Sequence, residues 1–410
     1  MSRRALLALP ACALLVALPA LPASAAVDTQ SWTSPTHQWW TSGTWSSGEV
    51  PENGDTLVFP STAADRSDAN VGDISLVAMQ FTGDHLLGSA PPAGVITLTG
   101  PEGLLVDGDP APAEVTINND LATTGAQSWY VAADNSLVLP ALVRVSPSGS
   151  LELDVEGELT ISGNLDGQVT GLVSKTGAGT VIRSGSAGGA IGGGGLDVQE
   201  GVFLLDDASI GGTAFQVSGG TLAGDGVVNA ITLTDGTIAP SDGGTGPIEI
   251  LIGDAGVSLD GGVYEATIDG LGGLSDYLTG GNGVLSGSGT TLELVLLSTP
   301  GVGDSFEIAG VQFGTIDLGF RLLSPAGETL EEGDEFVSGG GLWSISYEGV
   351  VTVSYLGAAP VEEEPEQPAP TEELPDTGAP LEPFAAAGGA VAVLLLGGAL
   401  VASVRRRARA

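Results

Sequence analysis

The sequence predicts an all-β chain coiled into a β-solenoid, and three observations carry that prediction. Short segments alternate apolar and polar residues, as in Leu151-Glu-Leu153-Asp-Val155, Leu196-Asp-Val198, Phe215-Gln-Val217, Ile231-Thr-Leu233 and Val257-Ser-Leu259. Alternation with a period of two buries one face of a strand and solvates the other. The segments also recur without helical stretches between them. Val173 to Leu196 is 23 residues, Leu196 to Phe215 is 19, Phe215 to Ile231 is 16 and Ile231 to Val257 is 26. A repeat of roughly 20 residues is the mark of a stacked coil. Finally, the chain holds 65 glycines, too many for ordinary packing but suited to a coil that turns several corners per rung. Asp225-Gly226, Asp235-Gly236 and Asp260-Gly261 have the composition of such corners. A Greek-key sandwich alternates in the same way with turn signals every 8 to 12 residues or so, and both spacings occur here. Residues 27 to 357, coiled at about 20 per rung, would give about 16 rungs and a rod of roughly 75 Å.

The start of the chain reads as an export signal. Arg3 and Arg4 precede an apolar stretch from Ala5 to Leu21, and Ala23-Ser24-Ala25 has the small-x-small pattern cut by signal peptidase, so cleavage is expected after Ala25 or Ala26. Cys12, the single cysteine, lies inside this stretch, where Leu9-Pro10-Ala11-Cys12 faintly resembles a lipobox. On the signal-peptide reading the mature chain has no disulfide and no thiolate chemistry. Residues 27 to 377 keep five basic residues (Arg66, Arg144, Lys175, Arg183, Arg321) and 49 of the 50 acids, a net charge of five minus 49, or −44. Such a surface repels nucleic acid and other polyanions.

The far end has three parts. Leu374-Pro375-Asp376-Thr377-Gly378 comes first, then an uncharged run of 21 residues from Phe384 to Val404, then Arg405, Arg406, Arg407 and Arg409. As a helix the run would span roughly 30 Å of hydrocarbon, with the arginines held on the cytoplasmic side. This arrangement resembles the LPxTG cell-wall sorting signal of Gram-positive surface proteins. The resemblance implies that a sortase recognises Leu374, Pro375, Asp376, Thr377 and Gly378. Its thiolate attacks the Thr377 carbonyl, releases Gly378 and passes the acyl group to a peptidoglycan amine. Pro375 restricts itself and Leu374, which presents the peptide extended and bent. Between the solenoid and this motif, Pro360, Pro365, Pro368 and Pro370 stand among glutamates, the composition of an extended, charged linker.

A second resemblance lies within the repeats. Gly171-Leu-Val-Ser-Lys-Thr-Gly-Ala-Gly-Thr-Val-Ile-Arg-Ser-Gly185, Gly201-Val-Phe-Leu-Leu205, Gly219-Gly-Thr-Leu-Ala-Gly-Asp-Gly-Val-Val-Asn229 and Ser275-Asp-Tyr-Leu-Thr-Gly280 resemble the passenger-associated repeat of autotransporters. Trp39-Trp40-Thr-Ser-Gly-Thr-Trp45, Pro51-Glu-Asn-Gly-Asp55 and Val58-Phe59 resemble the cap that precedes such repeats. The resemblance implies a right-handed parallel β-helix displayed on a cell surface. A sorting signal stands where those proteins carry a membrane barrel.

The expected organisation is a signal peptide (1–26), an N-terminal cap with the first strands (27–95), a solenoid with a C-terminal strand cap (96–357), the linker (358–373) and the sorting signal (374–410) with its transmembrane segment (384–404). Trp32, Trp39, Trp40 and Trp45 are the expected plug of the first rung. Trp343 and Tyr347 are expected at the last, with Leu342–Gly349 as a hairpin strand. His37 and His85 form no paired-ligand spacing, and no nucleophile elbow or catalytic triad order is present. No catalytic residue, metal or cofactor is therefore expected. The expected function is a sortase-anchored surface protein, an adhesin or a structural coat. Its partners would be signal peptidase, sortase, peptidoglycan, and a glycan or a ligand on a host or neighbouring cell. The membrane would be touched only through the tail. The alternative is a polysaccharide-degrading or glycan-binding β-helix, for which Asp206, Asp207 and Arg183 on adjacent rungs are the candidate cluster.

Overall fold

Strands that alternate along the chain can hide their apolar faces only by stacking, and here they stack in parallel. The computed structural model describes residues 29–31, 42–61, 66–67, 72–88, 92, 94–109, 111–141, 143–165, 171–185, 194–241 and 249–360, all within one compact unit, Met1–Pro360. One column of strands runs Thr29–Ser31, Thr56–Phe59, Ala78–Phe81, Glu102–Val106, Gln127–Val131, Leu151–Val155, Val173–Thr176, Leu196–Val198 and then residues 215–217, each hydrogen-bonded to the next. A second runs His85–Leu87, Glu114–Ile117, Ser136–Leu139, Glu158–Ile161, Thr180–Ser184 and residues 202–206. The third is a five-stranded sheet of Ile74–Leu76, Val95–Leu98, Asp120–Thr123, Arg144–Pro147 and Asn164–Leu165. The result is a parallel β-solenoid of right-handed type with about nine turns. Among the described residues the only helical element is the short turn Ser42–Thr44.

Nine turns replace the expected 16. Within the regular columns register partners lie between 19 residues apart (Leu196 and Phe215) and 30 apart (His85 and Val115), so most turns consume more chain than the assumed repeat. At about 4.8 Å per turn the regular coil is roughly 40 Å long. Beyond it the ladder widens: Val257 pairs with Leu285 and Val284 with Thr315. The last stretch reverses direction altogether. Glu335–Ser338, Gly341–Ser346 and Val350–Ala358 pair antiparallel, and Val350–Ala358 lies antiparallel on Ser305–Val311.

The core is written as columns. Leu57, Met79, Leu104, Trp129, Leu153, Lys175, Val198 and Val217 are successive register partners, all inward. Phe59 and Phe81 stack face to face at 4.7 Å between centroids. At the reversed end, Trp343 is buried edge-on against Phe306 and Tyr355, and its indole N–H donates to the Ser338 carbonyl at 3.0 Å. Tyr347 donates to the Leu330 carbonyl and accepts from the Leu322 N–H, and burial pushes its phenol up to about 12. Both aromatics therefore hold the C-terminal end, and Gly341–Ser346 is the hairpin strand the sequence indicated.

Corners stack as tightly as strands. Gly194 sits directly against the Gly171 backbone, and a Cβ there would overlap the Gly171 carbonyl. Asn135, buried at another corner, accepts from the Gly108 and Ala113 N–H groups at 2.9 and 2.6 Å and donates to the Ala132 and Ala133 carbonyls. We expect Gly194→Ala to lower stability by about 1–3 kcal/mol through overpacking. Asn135→Ala should cost about 1–3 kcal/mol by orphaning buried backbone groups. Denaturant unfolding of each variant against wild type measures both.

Candidate functional site

Residues that point outward on the first face form rows as regular as the core columns. One row is Val58, Gln80, Leu105, Tyr130, Asp154 and Thr176. A parallel row is Glu102, Ser128, Glu152 and Ser174, continued in register by Asp197, which is buried and accepts from Gln199 and Ser218, and by Gln216. Gln127–Val131 places Trp129 inward and Tyr130 outward by simple alternation.

Between these rows lies a depression of about 260 Å³, lined by Gln80, Glu102, Leu105, Ser128, Tyr130 and Asp154 with buried Leu104 as its floor. No side-chain polar group of Gln80, Glu102, Ser128, Tyr130 or Asp154 hydrogen-bonds to another described residue. Partial burial, followed by the negative charges of Asp107, Asp154 and Glu156, raises the Tyr130 phenol above its ordinary value. Burial likewise raises the Asp154 carboxyl, and Glu152, Glu156 and Glu200 add to the rise while Lys175 opposes it. The depression thus sets an aromatic ring, an amide, hydroxyls and two carboxylates over an apolar floor that belongs to the core, and those polar groups are not spent on bonds within the fold.

A larger groove of about 600 Å³ lies alongside, lined by Asp84, Glu114, Asp134, Glu156 and Glu158 around Asn135. Its chemistry differs because part of it is already engaged. Asp84 accepts the Glu114 N–H at 2.8 Å, Glu156 accepts the Ala178 N–H at 3.3 Å, and Asn135 is saturated. Among the described residues no group of three or more His, Cys, Asp or Glu is arranged to hold a metal ion.

The two cations of the 171–185 motif face inward. Lys175 is fully buried between Leu153 and Val198. Its ammonium donates to the carbonyls of Val155 (3.4 Å), Thr176 (2.7 Å), Gly177 (2.5 Å) and Glu200 (3.1 Å). These carbonyls come from three consecutive turns. Burial pushes its pKa down to about 8, against the pull of Glu156, Asp154 and Glu200. Arg183 is buried between Ile161 and Leu205 and donates to the Ile161 and Ser184 carbonyls at 2.8 and 2.6 Å, and burial lowers its pKa. Asp206 and Asp207 are exposed, and Asp207 binds Asp225 through its N–H. Arg183 therefore does not share a surface with these carboxylates, and the candidate cluster does not assemble. His85 is buried against Phe59 and Phe81 at 5.4 and 5.8 Å, and Trp45 against Phe59 at 6.0 Å.

Several expected sites lie outside the described residues: Ala25, Ala26, Trp32, His37, Trp39, Trp40, the segment 384–404 and the motif Leu374, Pro375, Asp376, Thr377 and Gly378. Among the described residues no helix is long and apolar enough to cross a membrane. Tyr130 escaped the sequence reading, although its signal was present: an aromatic on the outward phase of a strand whose alternate positions are apolar. No protein-family model matches the sequence, and no curated protein matches it.

Lys175 makes stability depend on pH in a defined direction. The unfolded lysine titrates near its ordinary 10.5 and the folded one near about 8. Between those values the unfolded chain binds more protons, so stability rises with pH. The burden of burying the charge is full below about 8 and gone above about 10.5. Urea unfolding of wild type and Lys175→Met should show wild type gaining on the variant across that window. A difference that stays flat would mean that the ammonium is not buried in solution.

Proposed function

We propose that this chain is exported, cut between Thr377 and Gly378 by a sortase, and joined through the Thr377 carbonyl to peptidoglycan. The β-helix is then displayed outside the cell as an adhesin or structural surface protein. The observation that carries this reading is the tail: Leu374-Pro375-Asp376-Thr377-Gly378, the uncharged run Phe384 to Val404, and Arg405, Arg406, Arg407 and Arg409 in the order a sorting signal requires. Export is supported by the charged, apolar and small-residue order at the front of the chain.

The fold is compatible with display. A parallel coil holds itself together by stacking each turn on the next, without disulfides, and presents long rows of outward side chains. With a formal net charge of −39 for the full chain, such a surface stays soluble by self-repulsion. Action by presentation rather than catalysis is supported by the inward course of Arg183, which withdraws the cation from the one carboxylate cluster considered for a lyase.

Cell fractionation tests the reading. Muramidase should release protein that carries a peptidoglycan fragment on Thr377, as read by mass spectrometry. Thr377→Ala should reduce the muramidase-released pool by about tenfold or more, because the side chain the sortase would recognise is lost and the acyl-enzyme is not formed. Finding the wild-type chain in detergent extracts with Arg405–Arg409 still attached, and none linked to the sacculus, would overturn it.

A further inference from the structure

We propose that the depression around Tyr130 is a binding subsite for a glycan with free amino groups, one pyranose ring lying over Tyr130 and its ammonium meeting Glu102 and Asp154. The inference does not depend on how the protein is anchored.

Three features of the depression lead there. The first is its unspent polarity. At several corners of the coil, polar side chains fasten backbone: Asn53 holds the Ser75 N–H, Asp73 the Val95 N–H, Asp84 the Glu114 N–H and Asp120 the Arg144 N–H. Around Tyr130, five polar side chains converge on one hollow and fasten nothing. The amide of Gln80 and the hydroxyls of Ser128 and Tyr130 are donors and acceptors of the kind that sugar hydroxyls require.

The second is shape. The hollow is bounded by a half-exposed aromatic ring and by Leu105, with Leu104 beneath. A pyranose has one face of C–H groups and an edge of hydroxyls, and it is held by an apolar platform with polar groups beside it. A volume of about 260 Å³ is small for a drug-sized ligand and matches a single ring. Register spaces Leu105, Tyr130 and Asp154 one turn apart, about 4.8 Å, so a linear glycan can continue along the same row.

The third is charge. Glu102 and Asp154 bring two carboxylates to the hollow, with Glu152 and Glu156 close enough to Asp154 to raise its pKa. The one cation acting on Asp154, Lys175, is inward and already committed to four carbonyls. Uronic acids, sialic acids and sulfated sugars are repelled from this field. An ammonium relieves it, and the Tyr130 ring adds a favourable face for a cation. An amino sugar combines ring, hydroxyls and ammonium in one residue.

The test uses the full chain and isothermal titration calorimetry with three probes: a fully deacetylated chitosan hexasaccharide, its N-acetylated counterpart and hexalysine. The chitosan hexamer should bind about tenfold or more tightly than the acetylated one. Tyr130→Ala and Glu102→Gln, both outward substitutions, should each weaken chitosan binding by about tenfold or more, with circular dichroism unchanged. Glu114→Gln in the neighbouring groove should change it by less than about twofold. Hexalysine, held only by the general field, should be insensitive to Tyr130→Ala. Absence of chitosan binding overturns the proposal. So does equal binding of the acetylated sugar, because the ammonium is then not recognised. Chitosan affinity unchanged in Tyr130→Ala would reveal adsorption to an acidic surface, and hexalysine weakened as much as chitosan would reassign the hollow to a peptide cation.

Discussion

In a parallel coil a residue's neighbours are its own counterparts one turn away, and everything else in this structure follows from that constraint. Leu104 must fit Trp129, Trp129 must fit Leu153, and Leu153 must fit Lys175. A side chain of the wrong size is not absorbed by a shapeless core but passed to the turns above and below. The same rule reaches the backbone, where Gly194 rests on Gly171. Lys175 shows how far the rule extends. A charged residue occupies an apolar column because its four methylenes fill the place of a Leu or Val, while its head reaches the corner and ties three turns by their carbonyls. A buried ammonium is tolerable only when its donors are all satisfied.

Much of the coil could be read in advance because register partners resemble one another. Val173 and Leu196, Leu196 and Phe215, and Ile231 and Val257 were singled out by spacing alone, and each pair proves to be in register. The number of turns could not be read the same way. Corner length varies freely as long as strands return to register, so an average taken from the tightest stretch undercounts the chain used per turn. Lys175 and Arg183 were equally hard to place. Strand phase puts both inward, but charge argues for the surface, and only the carbonyl clusters at their heads settle the contest. Tyr130 was overlooked for the opposite reason, since an aromatic within Ser128-Trp129-Tyr130-Val131 looks like core until the phase is known.

The outer surface divides by what its polar groups do. Some are engaged in closing corners, as Asp84 and Asp120 are, and Asn135 serves the same end from within. The hollow at Tyr130 is where polarity, an aromatic ring and negative charge coincide without structural employment. A fold that repeats one motif many times can vary outward residues almost without consequence for its core, so a departure from the corner-fastening pattern is a place to look for recognition.

The reversed end of the coil has a mechanical consequence. Val350–Ala358 is the last strand among the described residues, and it is hydrogen-bonded on both sides, to Ser305–Val311 and to Gly341–Ser346. Tension arriving from beyond Pro360 therefore enters through a strand held first on one edge, by Gly341–Ser346, and from Tyr355 inward on both. Pulled along its own axis, that strand must break its bonds in shear, all together, rather than peel them off singly. A molecule held by this end would yield to drag or stretching only after the whole clasp failed at once.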